Sequence, residues 1–363
     1  MIRQLKQFTV NLIAGANVAT VGLMLLAGFS DRLWPADYPL LSCAGMVFPV
    51  FALCNLGFLF FWLVFAWRKA WIPVVGFLLA YQPISIYMPL NPRQDVPEES
   101  IKVISYNVCS YGGNYKYEDA FERIADYLKE QQADIVCLQE DVDSWRRYAF
   151  DYYRKAYPYN DTTIFVQNEL SFNGVGIHTR YPILRKERIA YESLANGSVA
   201  YYLQVGSDTL LVVNNHLESC HLSKEDRSRY KDMLRGDMQT DTAKVESRLI
   251  VDKLGEAAAR RAPQAEAVRR YIREHSQYPV IVCGDFNDTP ISYARRAMAK
   301  GLTDCYVASG RGIGLSYNQK GFWVRIDNIL CSSRFTPYNC QIDSEIDFSD
   351  HYPMICWLKM QGK

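Results

Sequence analysis

The chain has 363 residues, of which 49% are apolar, and a net charge of +1. That is length for more than one domain and apolar content for a large core. Residues 1 to 90 hold only seven charged side chains, Arg3, Lys6, Asp31, Arg32, Asp37, Arg68 and Lys69. Taking those five basic and two acidic residues from the 40 and 39 of the whole chain leaves 35 basic against 37 acidic in residues 91 to 363, a balance that weakens the case for a nonspecific nucleic-acid binder.

Phe8 to Phe29 carries no charge and exceeds the roughly 20 residues that a bilayer crossing needs. Pro39 to Trp67 is a second apolar run, with Trp62 and Trp67 toward its end, where interfacial rings sit. Trp71 to Leu90 is a third, interrupted by Gln82, Pro83, Ser85 and Pro89. A cleaved signal peptide would account for the first run alone. Because two more follow at once, the pattern predicts an integral membrane anchor of about three transmembrane helices over residues 1–90. Arg3 and Lys6 flank the first run, and Arg68 with Lys69 fills the loop between the second and third. The positive-inside tendency therefore places the N-terminus and that loop in the cytoplasm. Three crossings then put the rest of the chain outside, on the periplasmic or extracellular side; two would reverse the assignment. Residues 91–100, polar and proline-bearing, read as a linker, and 101–363 as the soluble domain.

Ile101 to Val108 alternates as a strand does, Asn107 sits where it runs out, and Gly112-Gly113 marks a loop. Residues 117–131 have the spacing of an amphipathic helix, with Phe121, Ile124, Ala125 and Leu128 on one face. Asp134 to Glu140 is a buried strand that ends on an acid. Gly174 to Ile183 reads as a strand entering a turn, with structural roles expected for His178 and Arg180. Leu210 to Ser219 is again an apolar strand with a polar end, and an imidazole there, His216, can protonate or hydrogen-bond a leaving group near neutral pH. Residues 223–275 carry thirteen Lys or Arg against ten Asp or Glu. They predict a helical excursion broken near Pro263, read as a solvated face or, functionally, as a basic lip over a site or against anionic lipid headgroups.

Pro279 to Pro290 is an apolar strand closed by Gly284 and a polar end. If the chain stays extended there, Asp285 and Asn287 leave the strand on one side, an ionised acid to orient or deprotonate water and an amide to donate to a phosphate oxygen. Gly310 to Gly314 lacks the strand and helix context of a phosphate loop and reads as a turn. Arg325 to Cys331 is a strand interrupted by Asp327, a carboxylate that is costly in an apolar run unless paired. His351 supplies the pair, leaving Asp350 to face a metal.

Singly, these residues read as turns and solvated strand ends. As an ordered set they do not. Ser-Tyr-Asn-Val, Leu-Gln-Glu, Asn-His-Leu-Glu-Ser, Gly-Asp-Phe-Asn, Arg-Ile-Asp-Asn-Ile-Leu and Ser-Asp-His, in this order over residues 101 to 359, resemble the endonuclease/exonuclease/phosphatase family, whose members include deoxyribonucleases, abasic-site endonucleases, neutral sphingomyelinases and inositol polyphosphate phosphatases. The resemblance implies an α/β fold, a four-layer sandwich of two mainly antiparallel sheets packed face to face with helices outside. It implies Glu140 as the principal Mg2+ ligand, helped by Asn107 and Asp350, with Mn2+ able to substitute. By the same resemblance Asp285 would activate the attacking water, Asn287 would hold the phosphate, Asp327 would fix His351 against the scissile phosphate, and His216 would sit near the leaving oxygen. Cys109 departs from the pattern, since some nuclease branches carry an acid there.

The expected activity is Mg2+-dependent hydrolysis of a phosphodiester by in-line attack of water. The expected partners are a phosphoester substrate (a lipid headgroup, a nucleic acid or a small molecule) and membrane lipid, with no obligate protein partner. An anchored or exported nuclease is the alternative within the class, and a non-catalytic receptor for a phosphorylated ligand is the alternative from another class. Cys137, Cys283, Cys331 and Cys356 fall in apolar runs and are expected to be buried thiols, and no Cys-x-x-Cys pair suggests a zinc or redox site. Cys109, Cys220, Cys305 and Cys340 lie in looser contexts, where disulfides remain open if the domain is exported.

Overall fold

The apolar N-terminal quarter folds as helices α1 (Ile2–Gly28), α2 (Phe48–Phe65) and the consecutive pair α3 (Trp71–Leu79) and α4 (Tyr81–Tyr87). The computed structural model describes residues 2–112, 116–141, 152–167, 172–220, 223–235, 240–319 and 324–361. Gly113 of the Gly-Gly loop falls outside these. Two helical segments, Arg3–Arg32 and Pro39–Phe65, are long and apolar enough to cross a membrane, and a third span results if α3 and α4 count as one despite a 64° bend. The bend has a cause in the sequence: Pro83 has no N–H to donate to the Leu79 carbonyl one turn back, so the helix breaks there. Polar side chains within this apolar bundle are paired. Asn17 donates to Asn55 Oδ1 at 2.9 Å, Trp62 Nε1 donates to Asn17 Oδ1 at 2.9 Å, and Asn55 Nδ2 reaches the Phe51 carbonyl at 2.8 Å.

Residues 91–97 form neither helix nor strand but are not loose. Asn91 donates to the carbonyls of Val307 and Gly310 at 2.9 and 2.8 Å, and Gln94 exchanges two hydrogen bonds with Asn339. The linker is thus laid along the domain it introduces.

The rest of the chain is built on two six-stranded sheets. The first runs β11 (Phe335–Ile342), β12 (Met354–Met360), β1 (Ile101–Asn107), β2 (Ile135–Gln139), β4 (Phe172–Thr179), β3 (Tyr159–Gln167). The second runs β5 (Ile183–Ile189), β6 (Gly197–Val205), β7 (Asp208–His216), β8 (Val280–Asp285), β10 (Asp327–Cys331), β9 (Thr303–Asp304). Side chains two apart share a face, so each strand divides its apolar residues between two cores. Ile101, Val103, Cys137 and Met354 of one sheet meet Val212, Ile281, Cys283 and Ile329 of the other. Outside the first sheet, Ile104, Tyr106 and Val136 pack on α5 (Ala120–Glu130) through Phe121, Ile124, Ala125 and Leu128, the face its spacing predicts. Behind the second, Leu211, Val213, Val280 and Val282 pack on long α7 (Thr240–Glu274), preceded by α6 (Lys224–Arg235), and on short α8 (Tyr293–Met298). The result is the expected four-layer α/β sandwich, its sheets mixed through the parallel pairs β1/β2 and β7/β8 and otherwise antiparallel.

The break expected near Pro263 does not occur. α7 continues through it. A proline inside a helix costs about 3 kcal/mol, but its neighbours Ala262 and Ala265 are fully buried and Arg261 and Gln264 are bonded inward, so packing on the sheet holds the helix together. All ten cysteines are free; Cys305 and Cys340 are buried with the other core thiols, not loop residues awaiting a partner.

Candidate active site

Strand pairing brings the polar strand ends to one edge. Parallel strands end on the same side, so Asn107 lies opposite Gln139 and Glu140 follows one residue beyond, while His216 lies opposite Asp285. β10 is antiparallel to β8 and begins with Asp327 opposite Asp285. β12 is antiparallel to β1, with Met354 opposite Ser105, which leaves Asp350 and His351 just past that edge.

At the centre, Asp285 is 1% exposed. Its Oδ2 accepts from Asn107 Nδ2 at 3.1 Å and lies 3.6 Å from His351 Nε2 and 3.7 Å from His216 Nε2. His351 Nδ1 meets Asp327 Oδ2 at 2.8 Å, the pairing that the buried acid demanded. The Asn107 amide also donates to Glu140 Oε1 at 3.2 Å, while its oxygen accepts from the Cys109 backbone N–H at 3.0 Å. In this structure Asn107 therefore bridges two carboxylates, with one lone pair left for a cation. The structure thus brings Asn107, Glu140, His216, Asp285, Asp327 and His351 together. Asp350 stands beside Glu140 and raises its carboxyl, after burial, which is the larger cause.

Asn287 arrives differently from the expectation. The chain does not stay extended: Asn287 has φ +52°, its N–H donates to Asp285 Oδ1 at 2.8 Å, and its side-chain amide donates to the Leu217 carbonyl at 2.9 Å. The segment is both an Asx turn and part of the site, because the turn holds Asp285 from behind. Glu140 too is in the left-handed region, at φ +55°. For a non-glycine residue this costs roughly 1–2 kcal/mol, and it turns the carboxylate back over the strand ends.

Burial raises the Asp285 carboxyl to about 7, with His351 opposing and Asp327 reinforcing the rise. Burial alone would lower His351, but the Asp327 and Asp285 carboxylates outweigh it and hold the imidazolium up to about 10. Asp285, Asp327 and His351 offer donor atoms within 4.8 Å of one another. With a proton on the ring and Nδ1 committed to Asp327, the imidazolium offsets one of the two carboxylates and has no nitrogen lone pair left for a cation. Glu140, whose side chain keeps 33% of its surface exposed, offers with Asp350 the hard, partly open oxygen pair that a divalent cation needs.

Several members of the site gave no signal in the sequence. Asn173 Oδ1 meets His216 Nδ1 at 3.2 Å. Ser316 Oγ accepts from the backbone of Asp327 at 3.1 Å, the Tyr317 ring packs edge-on to His351 at 5.1 Å, and Ser349 Oγ donates to the Asn107 carbonyl at 2.7 Å. Only Ser349 sits in a quoted motif; the others come from loops or an early strand position. Arg227 on α6 contributes positive potential at Glu140 and Tyr317, so the charge-rich excursion does reach the site. His178 is structural as expected: it is buried against Tyr153 at 4.5 Å, and burial lowers it to about 3.

The family model described as the endonuclease/exonuclease/phosphatase family matches residues 104–351, and the chain belongs to that family of phosphoester-hydrolysing enzymes. A second model, for a domain of unknown function, matches residues 10–87. No curated protein matches the sequence. Among solved structures, the human Nocturnin catalytic domain with bound sulfate is 17% identical with a TM-score of 0.53, covering 75% of this chain and 97% of its own. A humanized D. rerio TDP2 is 17% identical with a TM-score of 0.51, covering 72% of this chain and 99% of its own. A mannosyl-6-phosphatase of Bacteroides thetaiotaomicron VPI-5482 is 17% identical with a TM-score of 0.51, covering 72% of this chain and all of its own, at 100%. At these identities the likeness is one of fold.

Proposed function

We propose that the protein is a membrane-anchored, Mg2+-dependent phosphodiesterase acting outside the cytoplasm. The observation that carries the chemistry is the convergence of the His351–Asp327 pair and Asn107 on the buried Asp285. Asp285, raised toward neutrality, takes a proton from the attacking water. His351, held as an imidazolium by Asp327, donates to a non-bridging oxygen and balances the charge that develops in the transition state. Asn107 keeps Asp285 turned toward the water, and Asn287 fixes its other oxygen. His216, tethered by Asn173, stands where it can protonate the leaving oxygen. Glu140, Asp350 and the remaining lone pair of Asn107 would hold Mg2+, or Mn2+ in its place, and the ion supplies Lewis-acid polarisation of the phosphoryl oxygen.

Anchoring is supported by the way the chain returns to itself. The connection between α1 and α2 touches the catalytic domain through Trp34 and Gly45, and so does the segment after α4 through Asn91. Both therefore lie on one side. If α2 leaves that side, α3 with α4 must return to it, which makes three crossings and places Arg3, Lys6, Arg68 and Lys69 together on the other, cytoplasmic face. A near-neutral domain held this close to the bilayer favours a lipid headgroup or a small phosphoester as substrate.

The test is a substrate panel on the full chain in detergent micelles, with aryl phosphodiester, aryl phosphomonoester, phospholipid and single-stranded DNA each assayed with Mg2+, Mn2+ and chelator. Diester turnover that disappears with chelator is expected. Turnover of none of the four with either metal would overturn the reading.

A further inference from the structure

We propose that residues 29–47, the connection between α1 and α2, form a positioning element of the active site, holding the loop from Asp288 to Ser292 and through it Asn287 and Asp285. This rests on the phosphoesterase reading above and goes beyond anchoring. The loop begins directly after Asn287, yet its Ile291 is not part of the sandwich cores. It is 1% exposed in a cluster with Met24, Ala27, Phe48, Ala80 and Tyr87 of the anchor. Gly45 is pressed against its backbone, since a Cβ there would come within 2.1 Å of the Ile291 carbonyl oxygen. That oxygen also accepts from Thr289 Oγ1 at 3.0 Å, which ties the contact back into the turn.

Neighbouring contacts repeat the arrangement. The Trp34 ring stands edge-on to Tyr293 at 5.0 Å, Arg296 Nη1 lies 3.9 Å from Asp31 Oδ1, and Pro39 packs on Gly255 of α7 so closely that a Cβ would be 2.9 Å from it. On the inner side of the loop, Asp288 Oδ2 accepts from Arg261 Nε at 3.0 Å. Arg261, 2% exposed, donates from Nη1 to the Glu218 carbonyl at 3.0 Å. One guanidinium thus joins the turn after Asp285 to the turn after His216, and the anchor covers the loop from outside. A mere tether needs none of these contacts. Packed interfaces shift rather than stretch, and misplacing a reacting group by about 1 Å can cost up to about 100-fold in rate. Withdrawing the seat of Ile291 leaves Asp285 with its charge partners but without its backing.

The experiment uses the full chain in detergent micelles, with an aryl phosphodiester and Mg2+. Gly45→Val should lower kcat about tenfold while KM stays within about twofold. Trp34→Ala, a gentler change that adds no clash, should move kcat the same way. Gly57→Ala, on α2 with nothing within 4 Å, should leave turnover unchanged. Amide hydrogen exchange is read in parallel, because it needs no substrate. Residues 286–291 should exchange about tenfold faster in both Gly45→Val and Trp34→Ala, with β6 and β7 as protected as in the parent. If the parent turns nothing over, the function proposed above fails and the exchange still decides this inference. Unchanged exchange at 286–291 in both variants overturns it, whatever the activity.

Discussion

His351 sits 2.8 Å from one carboxylate and 3.6 Å from another, and that geometry sets how the site responds to pH. Asp285 must lose its proton to act as a base, and His351 must keep its own to act as a cation. The expected kcat/KM therefore rises with pH up to about 7 and falls above about 10. Asp327→Asn removes the largest contribution that raises the imidazole, so the alkaline limb should move down toward the ordinary 6.5, leaving a narrower bell. A pH–rate series on both proteins checks this, and an unmoved alkaline limb would remove His351 from its role. Stability carries the same sign. His351 is raised on folding, so its contribution is complete below 6.5 and is lost as pH climbs through about 10. Asp285→Asn, which keeps the shape and removes the base, should lower kcat about a thousandfold at pH 8 with folding retained by circular dichroism. The Asp327–His351 pair was legible because a lone acid in an apolar run demands a partner. Asn173, Ser316 and Tyr317 were not, since each is brought to the site by a loop or strand register that local patterning does not encode.

At the scale of the element, the apolar helices α1 and α2 are joined by the polar group of Asn17, Asn55 and Trp62. In the bilayer that the proposed anchoring gives these helices, lipid would offer no competing donors or acceptors, so each lost bond would leave an unsatisfied group. Asn17→Leu, close in volume, should destabilise the pairing of α1 with α2 by about 1 kcal/mol, measured by SDS titration of the full chain in bicelles; no change would mean these three side chains contribute nothing to association. Strand positions and the face of α5 could be read from apolar periodicity, because burial at period 2 and period 3.6 leaves direct traces. α7 could not be read whole. Pro263 signals a break locally, and what overrides it is the sheet beneath and the inward bonds of Arg261 and Gln264, which are long-range contacts. Asn287 shows the same limit in reverse: an Asx turn and a site residue proved to be one arrangement.

For the molecule as a whole, the fold follows from the family motifs, while the way the anchor grips the catalytic domain does not, because no motif spans that junction. The topology is open to direct measurement. A compartment-sensitive reporter fused after Lys363 should read outside the cytoplasm, and one inserted between Arg68 and Lys69 should read inside. Two reporters on the same side would contradict three crossings.

The free cysteines of the sandwich take on a different meaning if that topology holds. Cys137, Cys283, Cys305, Cys331, Cys340 and Cys356 are all buried and unpaired. A chain delivered unfolded to an oxidising compartment exposes these six together with Cys109 and Cys220, eight thiols with 105 ways of joining them all in pairs and no native pairing to select for. Maturation then becomes a race in which the sheets must close over the sulfurs before oxidants reach them, so that rapid burial serves as the protein's own antioxidant.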